Sequence, residues 1–136
     1  MSQDASDKVD LAELRYYIKD KIGLNSAGAE KCYFKQEGSA DRIMQPTPDS
    51  YVPSDPDPKD YGLRLFCYRA SEKLVILFNG CRKTMLEVRD CRNCKDYFDS
   101  AVKLADAITN AVYADKEIIF RERDILYKND NYELHI

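Results

Sequence analysis

Residues 61–84, YGLRLFCYRASEKLVILFNGCRKT, decide the fold of this chain, because its densest apolar content and its densest positive charge coincide there. Along residues 63–69 the side chains alternate: Leu63, Leu65 and Cys67 share one face of an extended strand, and Arg64, Phe66 and Tyr68 share the other. Along residues 73–79, Leu74, Ile76 and Phe78 oppose Val75 and Leu77. A strand apolar on both faces predicts a position inside a sheet, with something packed above and below. Ala70, Ser71 and Glu72 suit the connection of an antiparallel hairpin. Asn79 and Gly80 mark a turn, a bulge or a close backbone approach, and they deliver Cys81, Arg82, Lys83 and Thr84 beyond the buried run. Met85, Leu86 and Val88 extend the pattern toward a third strand.

Outward from this hairpin, two helices can be read. Leu11, Leu14, Ile18 and Ile22 recur at spacings of three and four, with Asp7, Asp10 and Glu13 early and Lys19 and Lys21 late, which predicts an amphipathic helix over residues 7–22. Gly23, Asn25, Ser26 and Gly28 then supply a stop and a loop. Phe98, Ala101, Val102, Ala105, Ile108 and Val112 form one stripe and predict a helix over residues 97–113, capped by Asp96 or a neighbour and packed on the sheet. Residues 29–36, with Cys32, Tyr33 and Phe34, suit a short strand, and Glu37, Gly38 and Ser39 a turn; residues 41–45 are too short to classify. All five prolines fall between 46 and 58, so residues 46–60 read as a long, partly extended loop. The β-prone runs 117–120, 124–127 and 132–136 suggest an edge hairpin. The expectation is one α+β domain over residues 1–136, its antiparallel sheet centred on the hairpin and packed against the long helix, with an amphipathic helix at the N-terminus.

Composition narrows the function classes. At 44% hydrophobic and 33% charged residues the chain has the make-up of a soluble globular protein, and no window approaches the ~20 apolar residues of a membrane span. The polar, acidic start MSQDASDKVD is unlike a secretory signal, which implies a cytoplasmic location. Five cysteines, an odd number, then imply reduced thiols and no structural disulfide. Lys and Arg against Asp and Glu number 8 to 12 in residues 1–60, 8 to 3 in residues 61–95 and 5 to 9 in residues 96–136. A mildly acidic chain, of net charge −3, thus carries a basic middle.

Few catalytic arrangements fit. The single histidine, His135, sits beside the C-terminus, and the five glycines form neither GxGxxG nor GxxxxGK. Cys91 and Cys94 make one CxxC with Cys81 upstream, but a tetrahedral zinc would need a fourth ligand from Cys67 or His135. No cofactor or metal is therefore expected, a small zinc module being a third alternative. The acidic clusters at 55–60 and 115–124 read as solvated surface. What remains is the basic set of residues 64–95, whose guanidinium and ammonium groups either bind and polarise phosphate or simply balance an acidic body.

At LVILFNGCRKT, and more broadly over residues 62–84, the chain resembles toxins of the RelE and HigB type within the RelE/ParE superfamily, in which such a strand pair ends in a basic pair and a threonine, here Arg82, Lys83 and Thr84. The resemblance implies a compact α+β domain that cradles RNA, usually on the ribosome, a metal-independent endoribonuclease held inactive by a cognate antitoxin. It implies that Arg64, Arg69, Arg82 and Lys83 bind and polarise phosphate, with Tyr68 stacking on or positioning a base. This chain departs from the pattern in its overall acidity, its acidic tail and its proline-rich loop. The rival expectation is a noncatalytic interaction domain that uses the sheet edge or the basic hairpin to hold a protein partner.

Overall fold

The computed structural model describes residues 11–12, 14–43, 62–83, 92, 94–134 and 136, without the side chains of Lys21 and Lys83. The proline-rich stretch and Met85, Leu86 and Val88 lie outside the described residues. Helix α1 covers residues 11–12 and 14–23, and its second half, Tyr17–Gly23, is π-helical. A 3₁₀ turn, Lys31–Tyr33, leads into β1 (Phe34–Glu37), which turns at Gly38 and Ser39 into β2 (Ala40–Ile43). The long hairpin follows as β3 (Gly62–Ser71) and β4 (Leu74–Lys83). Helix α2 (Lys95–Thr109) continues as a π-helical turn, Asn110–Ala114, before β5 (Ile118–Arg121) and β6 (Asp124–Tyr127).

Strands β1 to β4 form one antiparallel sheet in sequence order, and β5 and β6 pair only with each other. The architecture is therefore α+β. The expected alternation of β3 divides the core in two. On one face Cys67, Leu65, Val75 and Ile43 pack with Leu14, Ile18 and Ile22 of α1 and with Ala29, Tyr33 and Phe34. On the other, Phe66, Tyr68 and Phe78 meet Phe98, Ala101 and Ala105 of α2. The stripe read for α2 is the face that it buries.

The position of β4 differs from the expectation. Among the described residues it is an edge strand, not an interior one. Its two-sided apolarity comes from helices above and below, since α1 and α2 lie on opposite faces of the sheet and each demands apolar side chains from it. The hairpin turns at Glu72 and Lys73, one residue later than the spacing suggested. Cys94, not Asp96, is the N-cap of α2, and it makes no side-chain cap. The C-terminal hairpin forms its own two-stranded sheet over residues 118–127, and residues 132–134 and 136 are in no strand.

A register slip in the long hairpin governs its basic end. Cys67 pairs with Leu77, but Leu65 pairs with Gly80, so Phe78 and Asn79 stand opposite the single residue Phe66. Such a bulge inverts the side-chain parity beyond it. Cys81 thus joins Phe78 on the α2 side, pairs with Arg64, and is disulfide-bonded to Cys94 at the start of α2, with the Cα atoms 5.3 Å apart. This bond overturns the expectation of five reduced thiols: sequence spacing does not reveal which cysteines converge, and the convergence here depends on the bulge. Gly80 follows from the same geometry, because a Cβ there would lie 2.5 Å from the Arg64 carbonyl oxygen.

The disulfide closes a loop across 13 positions, for which chain-entropy arguments give about 3 kcal/mol of stabilisation. Urea unfolding with and without a strong dithiol reductant is expected to show a midpoint lowered by a corresponding amount, and Cys81→Ser with Cys94→Ser should reproduce the reduced curve.

Candidate functional site

The residues proposed from the sequence do not gather at one place. Arg64 stands on the α2 side of the sheet, with only 2% of its surface exposed. Tyr68 shares that side, its ring 5.9 Å from Phe120 and its hydroxyl accepting a 3.5 Å hydrogen bond from Thr109 Oγ1. Arg69 lies on the α1 side. Its Nε donates to the Ala29 carbonyl at 2.6 Å, its guanidinium sits 5.9 Å from the Phe34 ring centre, and Nη2 is 3.8 Å from Glu72 Oε1. Its backbone N–H donates to Asp41 Oδ2 at 3.0 Å. Arg69 is thereby a clamp that ties the loop after α1 to the hairpin. The Ala29 N–H completes that clamp by donating to the Glu72 carbonyl at 2.7 Å. Gly28, at φ +76°, meets the same carbonyl, which leaves no room for a Cβ.

Arg82 pairs with Leu63, which puts it on the α1 side, partly exposed; Lys83 ends β4, and its side chain is outside the described residues. The slip beyond Phe78 is what separates Arg82 from Arg64. Arg64 and Tyr68 thus stand on one face and Arg69 and Arg82 on the other.

One buried charge escaped the sequence reading altogether. Arg42, 1% exposed, pairs in register with Phe66, and its Nε lies 2.7 Å from Glu37 Oε1 in an ion pair too bent to be a hydrogen bond. Residues 41–45 offered no periodicity from which its burial could be read.

Where the structure does gather features is along β4. Its outer edge has no strand partner among the described residues. On the α1 side this edge borders a groove of about 390 Å³ lined by Ile18 and Ile22 of α1, by Val75 and Leu77 of β4, and by Lys73 and Arg123 at its hairpin end. Leu77 is 50% exposed there. Lys73 Nζ lies 3.3 Å from Glu122 Oε1, an exposed ion pair worth at most about 1 kcal/mol. The signal for this site in the sequence was the apolarity of β4 on both faces, which pointed equally to an interior strand.

Among the described residues no group of three or more His, Cys, Asp or Glu side chains gathers that could hold a metal ion. Cys81 and Cys94 are bonded to each other, and Cys91 and His135 lie outside the described residues. No described helix is long and apolar enough to cross a membrane. No family model, no curated protein and no solved structure matches the chain, so the resemblance to RelE and HigB toxins stands on residues 62–84 alone.

The two unbonded cysteines of the described part have opposite surroundings. Burial, and after it the Asp41 carboxylate, push the Cys67 thiol up to about 12, whereas Cys32 is exposed. Iodoacetamide at pH 8, read by peptide mass mapping, should label Cys32 in the native protein and Cys67 only after unfolding. Because its folded value is raised, Cys67 favours the folded state as a neutral thiol. Its contribution is complete below the ordinary thiol value of 9.0 and is lost as pH rises from there through about 12.

Proposed function

We propose that this chain is a noncatalytic interaction domain that binds another protein along the outer edge of β4. The observation that carries this reading is the coincidence of an open ten-residue edge strand with an apolar groove beside it. An edge strand offers a row of backbone N–H and C=O groups, and native sheets usually blunt or cover such a row unless it is used. Strand addition by a partner satisfies those groups, and the groove receives the partner's alternate side chains. Helices pack on both sheet faces, so the described sheet is open at its outer edges, β1 and β4, and of these β4 is the ten-residue strand that borders the groove with Val75 and Leu77.

A second reading is the toxin-like, metal-independent messenger-RNA endoribonuclease, with RNA or the ribosome as target and an antitoxin as partner. What favours it is that the antiparallel α+β sheet is of the kind the resemblance implies, with Arg82 partly exposed at the basic end of β4. Arg64 and Arg69 are on opposite faces, so a phosphate-binding set on this reading centres on Arg82 and Lys83. A cytoplasmic location suits either reading with Cys81 and Cys94 reduced, whereas their disulfide suits an oxidising compartment.

A photo-crosslinking residue placed at Leu77 distinguishes the two. On the interaction reading it should yield a discrete adduct in cells that is sensitive to protease and resistant to nuclease, while the same probe at Lys103, on the exposed side of α2, yields none. A nuclease-sensitive adduct, or equal adducts from both positions, overturns it. Induced expression tests the toxin reading: growth arrest abolished by Arg82→Ala with Lys83→Ala supports it, and normal growth of the unmodified strain sinks it.

A further inference from the structure

We propose that the segment received by β4 is an extended stretch of another protein, apolar at alternate positions and acidic at its ends. The proposal rests on the interaction reading and specifies the chemistry of its partner. Three features of the edge define it.

The first is length. The bulge at Phe78 and Asn79 breaks the regular edge, and the second shift of the hairpin puts its extra residue, Ala70, on β3, which leaves residues 74–78 as the unbroken part of β4. Five residues at about 3.3 Å each span roughly 17 Å, enough for a short strand. The second is the groove. Val75 and Leu77 face it from β4, and Ile18 and Ile22 form its far wall, so alternate side chains of an added strand would lie over an apolar floor. Leu77, half exposed at the edge, is the principal surface that such a strand would cover.

The third feature is charge. Residues 62–83 hold five Lys or Arg against one acidic residue, Glu72, and residues 74–83 hold no acidic residue at all. The straight edge is bounded by Lys73 and Arg123 at the hairpin end, where Glu72 also lines the groove with its carboxylate 3.8 Å from Arg69, and by Arg82 beyond the bulge. Glu122 lies on Lys73 in an exposed pair, whereas Arg123 makes no ion pair with any described residue. At the hairpin end three cations, Arg69, Lys73 and Arg123, outnumber the carboxylates of Glu72 and Glu122. Beyond the bulge β4 ends in Arg82 and Lys83, so carboxylates flanking the incoming strand meet an excess of positive charge past either end of its straight part. The same distribution argues against a second copy as occupant. Antiparallel pairing of β4 with itself would set the Arg82 and Lys83 end of one strand near Lys73 of the other, and like charges across strands are destabilising.

The test is a selection of random twelve-residue peptides on the full-length chain, followed by hydrogen exchange of the β4 amides. Enriched peptides should alternate apolar residues between acidic ends and slow the exchange of the amides of residues 74–78. Lys73→Glu with Arg123→Glu should weaken them by about ten-fold or more and shift a repeated selection toward basic ends, the magnitude expected for losing two exposed charge contacts. Lys73→Gln with Arg123→Gln, a milder change on the same exposed turn, should give an intermediate loss. Enriched peptides without acidic bias, or binding unchanged in both variants, overturn the charge assignment and leave the edge-strand reading standing. Peptides that bind without slowing those amides, or no enrichment at all, overturn both. Protection of the same amides that rises with concentration of the chain alone would make a second copy the occupant and overturn the proposal.

Discussion

The pairing of β3 with β4, and the extra residue of β4 at Phe78 and Asn79, sets the geometry on which the rest of this structure depends. From Val75 to Leu77 the two strands are in one register, a second shift lying next to the turn between Arg69 and Ser71; beyond Leu77, Phe78 and Asn79 share the place opposite Phe66. Because side chains alternate with a period of two, one inserted residue exchanges the two faces for everything that follows. Cys81 is turned toward α2, where it bonds Cys94, and Arg82 is turned toward the α1 side. The slip is sterically bound to Gly80, since any Cβ at that position would strike the Arg64 carbonyl. The buried Asn79 Oδ1, which has no hydrogen-bond partner, is an energetic cost of the same bulge.

Helices on both faces give this sheet two small cores in place of one. The α1 side is held by more than apolar burial. Arg69 reaches the Ala29 carbonyl, Ala29 reaches the hairpin turn, and Gly28 permits the close approach, so the loop after α1 is fastened to the tip of the β3–β4 hairpin. The α2 side is fastened by the disulfide, by the packing of Phe98 on Phe66 and by the Ser39 hydroxyl donating to the Val102 carbonyl. Two of the residues singled out from the sequence take part in this packing. Arg69 is committed to backbone and carboxylate partners, and the Tyr68 ring is packed beside Phe120. Of the two edge strands, β1 and β4, neither has a strand partner on its outer side among the described residues, and it is the β4 edge that borders the groove.

Much of the architecture was legible because it rests on local periodicity. The stripe of Phe98, Ala101, Ala105 and Ile108 named both the helix and its buried face, and the alternation of Leu65 and Cys67 against Phe66 and Tyr68 named both faces of β3. The candidate site was less legible. An apolar pattern on both faces of β4 records what lies above and below a strand, but carries no information about what lies beside it, since neighbours in a sheet are joined through the backbone. An interior and an edge position therefore leave the same trace in this strand. Arg42 was hidden for a related reason: a four-residue strand is too short to display a period, and Arg42 stands opposite Phe66, on the face that α2 covers from a distant part of the chain.

The sequence by itself determined the helices, the long hairpin, the α+β class and the concentration of positive charge near that hairpin, all of which depend on residues within a few positions of one another. The tertiary structure alone decided which of those charges share a face, which cysteines meet, and which strand is left at the margin. Each of these is fixed by register or by strand order, and a shift of one residue in the first, or one place in the second, leaves the composition and its periodicity unchanged while reversing what the surface presents.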